Sequence, residues 1–296
     1  MPHPFSLEND SAYRDWRARK LDEWPADPAE LIVPIQAPEA LDPSTHARLL
    51  DRIRRANMVV YQLDPTIPCG RDTIRAFGRQ FGLERLDGHL CADHDGISAL
   101  EVRADGGRGA GEYIPYSDRP INWHTDGYYN GPAQQIRGMI LHCVHTAADG
   151  GENALLDPEI AYIHLRDTDP ALIRALMRDD AMTIPANVVD GIELRGAVSG
   201  PVFSVDPHSG TLHMRYTARA RNVIWADETA VQAARTALTA LLETSDAPYV
   251  VRHRLSPGEG LLCNNVLHNR SGFRNSPEQQ RLLWRARYYD RIVVTP

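Results

Sequence analysis

The chain has 296 residues, 43% of them hydrophobic, with Lys+Arg 32 against Asp+Glu 39 and a formal net charge of −7. That apolar content supports a sizeable packed core and excludes a disordered chain. The acidic balance, with no basic run interleaved with aromatics, disfavours a nucleic-acid or anionic-membrane partner and points to a small molecule.

Cys69, Cys91, Cys143 and Cys263 are scattered without a C-x-x-C pair, so reduced thiols are expected rather than a disulfide framework or zinc ribbon. Met1 to Lys20 is charged and lacks an apolar signal core, and no later run reaches the length of a membrane span. A cytoplasmic protein is the expectation, folded as a single domain over 1–296.

Residues 1–30 read as a leader packed on that domain, with Trp16, Trp24 and Pro25 as anchors. A strand starts at Leu31-Ile32-Val33. Asp42-Pro43-Ser44 then caps and opens a helix whose stripe of Leu49, Leu50 and Ile53 runs to about Ala56. Met58 to Leu63 reads as a strand, and Arg71 to Phe81 as a helix ended by Gly82.

Ile97 to Val102 is a further strand. The glycine-rich segment from Gly106 to Gly111 lacks the Lys-Ser/Thr ending of a phosphate cradle and reads as a loop. Gln135 to Val144 is strand-like, and Asp149-Gly150-Gly151 turns the chain into Asn153 to Leu156. Helices are expected over Pro158 to His164, Pro170 to Met177 and Glu228 to Glu243. Strands are expected over Ala181 to Ile184, Val202 to Val205 and Thr211 to Tyr216.

Near the end, Tyr249 to Leu255 leads into Pro257-Gly258-Glu259-Gly260, a turn of the kind that joins antiparallel strands, and Leu261 to Asn264 returns. Short strands at this density indicate a barrel or sandwich with helices packed outside it.

The chemistry centres on Asn122-Trp123-His124-Thr125-Asp126. Residues i and i+2 of a strand point the same way, so His124 and Asp126 project together while Trp123 and Thr125 face the other side. An imidazole and a carboxylate side by side are two of the three ligands of the 2-His-1-carboxylate triad, which binds Fe(II) and leaves coordination positions open. His268, just after the strand Leu261 to Asn264, is a candidate for the third.

The last strand, Arg281 to Tyr288, carries Arg281, Leu283, Arg285 and Arg287 on one face and Leu282, Trp284, Ala286 and Tyr288 on the other. With the apolar face under the outer helices, the arginines point into the barrel. A guanidinium there requires an anion, and its planar fork suits a carboxylate. His142, His145, His208, His213 and His253 read as structural or exposed.

The ordered set Trp123-His124-Thr125-Asp126, Gly150-Gly151-Glu152-Asn153, Asn264 to Arg270, and Arg281-Leu282-Leu283-Trp284-Arg285 resembles the taurine dioxygenase-like family of Fe(II)/2-oxoglutarate-dependent oxygenases, from about Val59 to Ile292. The resemblance implies an α+β fold with a double-stranded β-helix, or jelly-roll, core and surrounding helices. It implies that His124, Asp126 and His268 hold Fe(II), and that 2-oxoglutarate and O2 are co-substrates. Arg281 would bind the distal carboxylate of 2-oxoglutarate, with Asn153 standing where taurine dioxygenase has a threonine. The segment from His268 to Arg281 is slightly longer than in that enzyme, so Arg285 stays a second candidate for a co-substrate carboxylate.

The expected reaction is hydroxylation of a small anionic compound with release of succinate and carbon dioxide. Desaturation or cyclisation with the same cofactors is the alternative, and a non-catalytic jelly roll that binds a metal or anion is the rival from another class. Because Asp126 is a carboxylate, halogenation that relies on losing this ligand is disfavoured. Substrate contacts are expected from Tyr128, Asn130, Arg215, Tyr216 and Arg285. Arg281 and Arg285 lie about 13 Å apart at roughly 3.3 Å per residue, which suggests that Arg285 takes a substrate acid. A homo-oligomer is compatible with the family's habits.

Overall fold

The structure is a computed structural model, described here for residues 3–88, 95–102, 114–219, 221–244 and 248–294. Cys91 and the segment from Gly106 to Gly111 lie outside the described residues. Contacts divide the chain into two compact units, each assembled from three separate stretches.

The larger unit (25–121, 134–155 and 251–296) holds a six-stranded sheet in the order Ile32–Ile35, Met58–Leu63, Glu259–Cys263, Gly138–His145, Leu282–Tyr288, Ile97–Leu100. Its first pair is parallel and the rest antiparallel. A second sheet includes Val251–His253, Asn153–Leu156 and Leu267–Arg270. This is the jelly-roll core.

Helices Pro43–Ala56 and Arg71–Arg79 cover one face of the large sheet, where Leu49, Ile53, Ile74 and Phe77 meet Tyr61, Ile140, Leu262, Ala286 and Tyr288. The first helix starts where the sequence indicated. The Asp42 carboxylate accepts from the Ser44 and Thr45 amides, both at 3.0 Å, and from the Ser44 hydroxyl, and the side-chain hydrogen bond from Ser44 is the first cause that holds its pKa below the usual carboxylate range.

The turn 257–260 corrects the sequence reading. Val251–His253 pairs with Leu155 to Asn153, whereas Glu259–Cys263 pairs with Met58–Leu63 and Gly138–His145, so the turn moves the chain between sheets instead of closing a hairpin. Gly258 makes the crossing at φ +87°, where an added Cβ would lie 2.3 Å from the Leu63 carbonyl oxygen. Its amide donates to the Cys143 carbonyl at 2.9 Å and its carbonyl accepts from Leu63 at 3.0 Å.

On the last strand, Trp284, Ala286 and Tyr288 pack toward the helices as the alternation required, with the Arg71 guanidinium 4.6 Å from the Trp284 ring centre. A register shift between Leu282 and Leu283 interrupts the alternation, placing Leu282 opposite His145 and Leu283 opposite Cys143.

The smaller unit (1–24, 122–133 and 156–250) is built on helices Pro158–Thr168, Pro170–Leu176 and Thr229–Glu243, with short strands between them. Among the elements not anticipated are a helix and a hairpin of this unit. Helix Asp10–Asp22 buries only Tyr13 and Lys20, with the Lys20 ammonium 2.6 Å from both Asp157 and Glu159. Asn187–Val189 and Ile192–Arg195 form a hairpin turned by Asp190 and Gly191 at φ 51° and 79°.

Candidate functional site

In the smaller unit, the Thr125 amide donates to the Tyr216 carbonyl at 3.0 Å, and the Ala218 amide to the Trp123 carbonyl at 2.8 Å. Trp123 and Thr125 turn into that unit's core, the Trp123 indole N–H donating to the Leu242 carbonyl at 3.0 Å. Alternation then leaves His124 and Asp126 on one side, with the His124 Nε2 3.6 Å from an Asp126 oxygen. Gly127, at φ +68°, reverses the chain immediately afterwards.

The His124 Nδ1 lies 2.9 Å from the Asn122 carbonyl. A carbonyl only accepts, so Nδ1 carries the proton and Nε2 keeps the lone pair, the form in which imidazole ligates a metal. His268, on Leu267–Arg270 in the larger unit, repeats the device with its Nδ1 2.9 Å from the Val266 carbonyl. Imidazoles with their Nε2 lone pairs available, and a buried carboxylate such as Asp126, are the donor types that suit Fe(II).

The larger unit also contains a pocket bordered by Cys143, Gly151, Asn153, Arg254, Arg281 and Leu283. Gly150 and Gly151, at φ +71° and +79°, lie against the 272–273 backbone, so closely that a Cβ on Gly150 would sit 2.2 Å from the Gly272 oxygen. A Cβ on Gly151 would stand 3.6 Å from the Arg281 Nε.

Arg281 is only 6% exposed and faces no ionised carboxylate among the described residues. Burial pushes its pKa down to about 10. An arginine so far from its usual range still carries its charge at neutral pH, so a pocket anion gains by pairing with it. The buried Asn153 borders the same pocket and can add an amide donor. Arg285 is buried farther along the strand, opposite Leu141 and Ser98.

Two substrate expectations are corrected. Arg215 directs its guanidinium at the protein's own backbone: Gly200 at 2.9 Å, Tyr128 at 3.2 Å, Pro201 at 3.3 Å, Val198 at 3.4 Å, and Met182. With its donors taken by carbonyls, it clamps the Tyr128 loop. Tyr216 is 2% exposed, its ring 6.3 Å from Trp225, and burial raises its pKa to about 12. Its side chain belongs to the core.

Tyr128 does adjoin the ligand strand, its ring edge-on to His124 with centres 6.4 Å apart. Asn130 closes the following turn by donating its amide to the Gly127 carbonyl at 2.8 Å. Thr217 and Arg219, both within reach of the Tyr128 hydroxyl, were missed because nothing in sequence links them to residue 128. Among the histidines read as structural, His142 is buried with Nδ1 3.0 Å from the Tyr61 hydroxyl, and burial lowers its pKa to about 4. His253 lies 2.9 Å from Glu259.

Residues 18–287 match the family described as taurine catabolism dioxygenase TauD, TfdA family. The chain is 30% identical over 225 residues to a uridine-5'-phosphate dioxygenase from Streptomyces sp., covering 72% of this chain and 77% of that protein. Among solved structures, an asparagine oxygenase in complex with Fe(II), 2S,3S-3-hydroxyasparagine and succinate superposes with TM-score 0.58 at 15% identity, covering 83% of this chain and 79% of the other. A taurine dioxygenase from Burkholderia xenovorans gives TM-score 0.54 at 17% identity, covering 86% and 84%. At these identities the structural likeness speaks for the fold.

Proposed function

Because the chain belongs to the TauD, TfdA family and is an Fe(II)- and 2-oxoglutarate-dependent dioxygenase, we propose that it hydroxylates a small anionic organic substrate, with His124, Asp126 and His268 as the iron ligands and Arg281 as the anchor of 2-oxoglutarate. The observation that carries the ligand assignment is that the His124 imidazole and the buried Asp126 carboxylate stand side by side, Nε2 3.6 Å from a carboxylate oxygen, with His268 taken as the third ligand from the family pattern. The matching Nδ1-to-carbonyl contacts of the two histidines support it. Iron bound there with 2-oxoglutarate would activate O2, one oxygen atom going to the succinate formed as 2-oxoglutarate loses carbon dioxide and the other to the substrate.

The protein's own groups bind and orient. Arg281 pairs with the distal carboxylate of 2-oxoglutarate, and the Asn153 amide donates to the same group. Asp126 supplies the carboxylate ligand beside His124. Tyr128, held through its carbonyl by Arg215, forms a wall beside His124. Arg285 grips the substrate's acid. The relative named for uridine-5'-phosphate acts on an anionic small molecule, in keeping with this reading.

A panel of small carboxylates, sulfonates and phosphate esters, assayed for substrate-dependent succinate formation, tests the proposal. One of these classes is expected to raise turnover well above the uncoupled rate. Arg285→Ala is expected to weaken that substrate at least tenfold while leaving 2-oxoglutarate affinity within a few-fold. Tightly coupled hydroxylation of a neutral or cationic substrate, indifferent to Arg285→Ala, would overturn it.

A further inference from the structure

Arg281 is one of two buried guanidiniums on the same aromatic ring. The Arg281 guanidinium lies 4.9 Å from the centre of Phe273 and that of Arg270 lies 4.8 Å from it, so the two charges are within about 10 Å of each other. Arg270 is 4% exposed. One of its terminal nitrogens donates to the Ser117 carbonyl at 2.8 Å and to the Arg119 carbonyl, while its buried Nε finds no hydrogen-bond acceptor among the described residues.

Among the described residues, the acid felt by Arg270 is the exposed Asp118, whose backbone carbonyl accepts from Phe273 at 3.0 Å. Burial first, then repulsion from Arg281, press the Arg270 pKa down to about 9. An arginine needed only to tie down residues 117–119 gains nothing from a second buried cation beside it. Among the described residues two such charges bear their desolvation cost without a buried counter-ion, which is tolerable where a bound anion answers both.

We infer that Arg270 and Phe273 are positioning residues for the co-substrate: the Phe273 ring holds both guanidiniums, and the charge of Arg270 reinforces Arg281 toward the distal carboxylate of 2-oxoglutarate. The inference rests on the assignment of Arg281 to that carboxylate. Arg270 does not touch the co-substrate; it acts by field and through the shared ring.

The consequence is selective. Neutralising Arg270 weakens 2-oxoglutarate, which carries a distal charge, and spares 2-oxopentanoate, which has the same chain without that carboxylate. A merely structural Arg270 affects both alike. A unit charge at about 10 Å, with an effective dielectric near 20, corresponds to roughly tenfold in affinity.

The test is anaerobic calorimetric titration of the Fe(II)-loaded protein with each oxoacid, using the wild type, Arg270→Gln, Arg270→Lys and Phe273→Leu. Arg270→Gln and Phe273→Leu are expected to weaken 2-oxoglutarate about tenfold and 2-oxopentanoate less than twofold, with Arg270→Lys restoring most of the loss. Should Arg270→Gln fail to fold, Phe273→Leu decides the matter by the same ratio. Equal weakening of the two oxoacids, or no weakening of either, would overturn the inference. Failure of the wild type to bind 2-oxoglutarate would instead sink the co-substrate assignment beneath it.

Discussion

At the scale of single residues, the account turns on which buried arginines have their charge met within the protein. Arg287 is paired with the buried Asp87, which also accepts from the Tyr289 hydroxyl at 2.7 Å. Arg281, just before the strand that carries Arg287, faces no ionised protein acid among the described residues. Strand alternation revealed the arginine face, yet nothing in the sequence links position 87 to position 287. Removing one partner of a buried charged pair costs on the order of 3 to 5 kcal/mol, a hundredfold or more in affinity. Arg281→Ala is therefore expected to raise the 2-oxoglutarate KM at least a hundredfold, measured by succinate formation. Arg287→Ala is expected to lower the melting temperature while leaving that KM within a few-fold. Equal effects on KM would move the anchor along the strand.

At the scale of elements, legibility followed local signals. Helix Pro43–Ala56 showed a cap, a proline and an apolar stripe, and it lies where those signals put it. Helix Asp10–Asp22 showed almost no stripe, because it is held through a buried ammonium and a few aromatic contacts, including Phe5 with Trp16 at 4.8 Å. The hairpin at Asp190-Gly191 did carry a recognisable turn signal, and the sequence reading passed over it. The ion pair of the N-terminal helix gives a prediction. Burial pushes the Asp157 carboxyl up to about 6, above its unfolded value, so the group lowers stability as pH rises from about 4 through 6. Lys20→Met leaves Asp157 and Glu159 adjacent and uncompensated. It is expected to cost about 3 kcal/mol at pH 7.5 in chemical unfolding, and less at pH 5, where Asp157 takes up a proton. A loss independent of pH would show that packing, not charge, is what Lys20 contributes.

At the scale of the whole molecule, the jelly-roll class was legible because short strands, turns and the ordered motif set agree with one another. Strand order was not. Glu259–Cys263 lies between Met58–Leu63 and Gly138–His145, an arrangement that no local pattern encodes. The same long-range assembly hid the Arg270, Phe273 and Arg281 group, although its members span only twelve residues of sequence, because Arg270 ends a strand of one sheet and Arg281 immediately precedes a strand of another. The ligand motif fared better, since His-X-Asp needs only one extended stretch to bring two donors together, and its third member rested on the family pattern.

The most direct measurement of the central claim is anaerobic titration of the purified protein with Fe(II), followed by 2-oxoglutarate, monitored by visible absorption. One iron bound per chain and a weak charge-transfer band on adding 2-oxoglutarate are expected, both abolished in His124→Ala, Asp126→Ala and His268→Ala. Full iron affinity and an unchanged band in all three variants would contradict that claim.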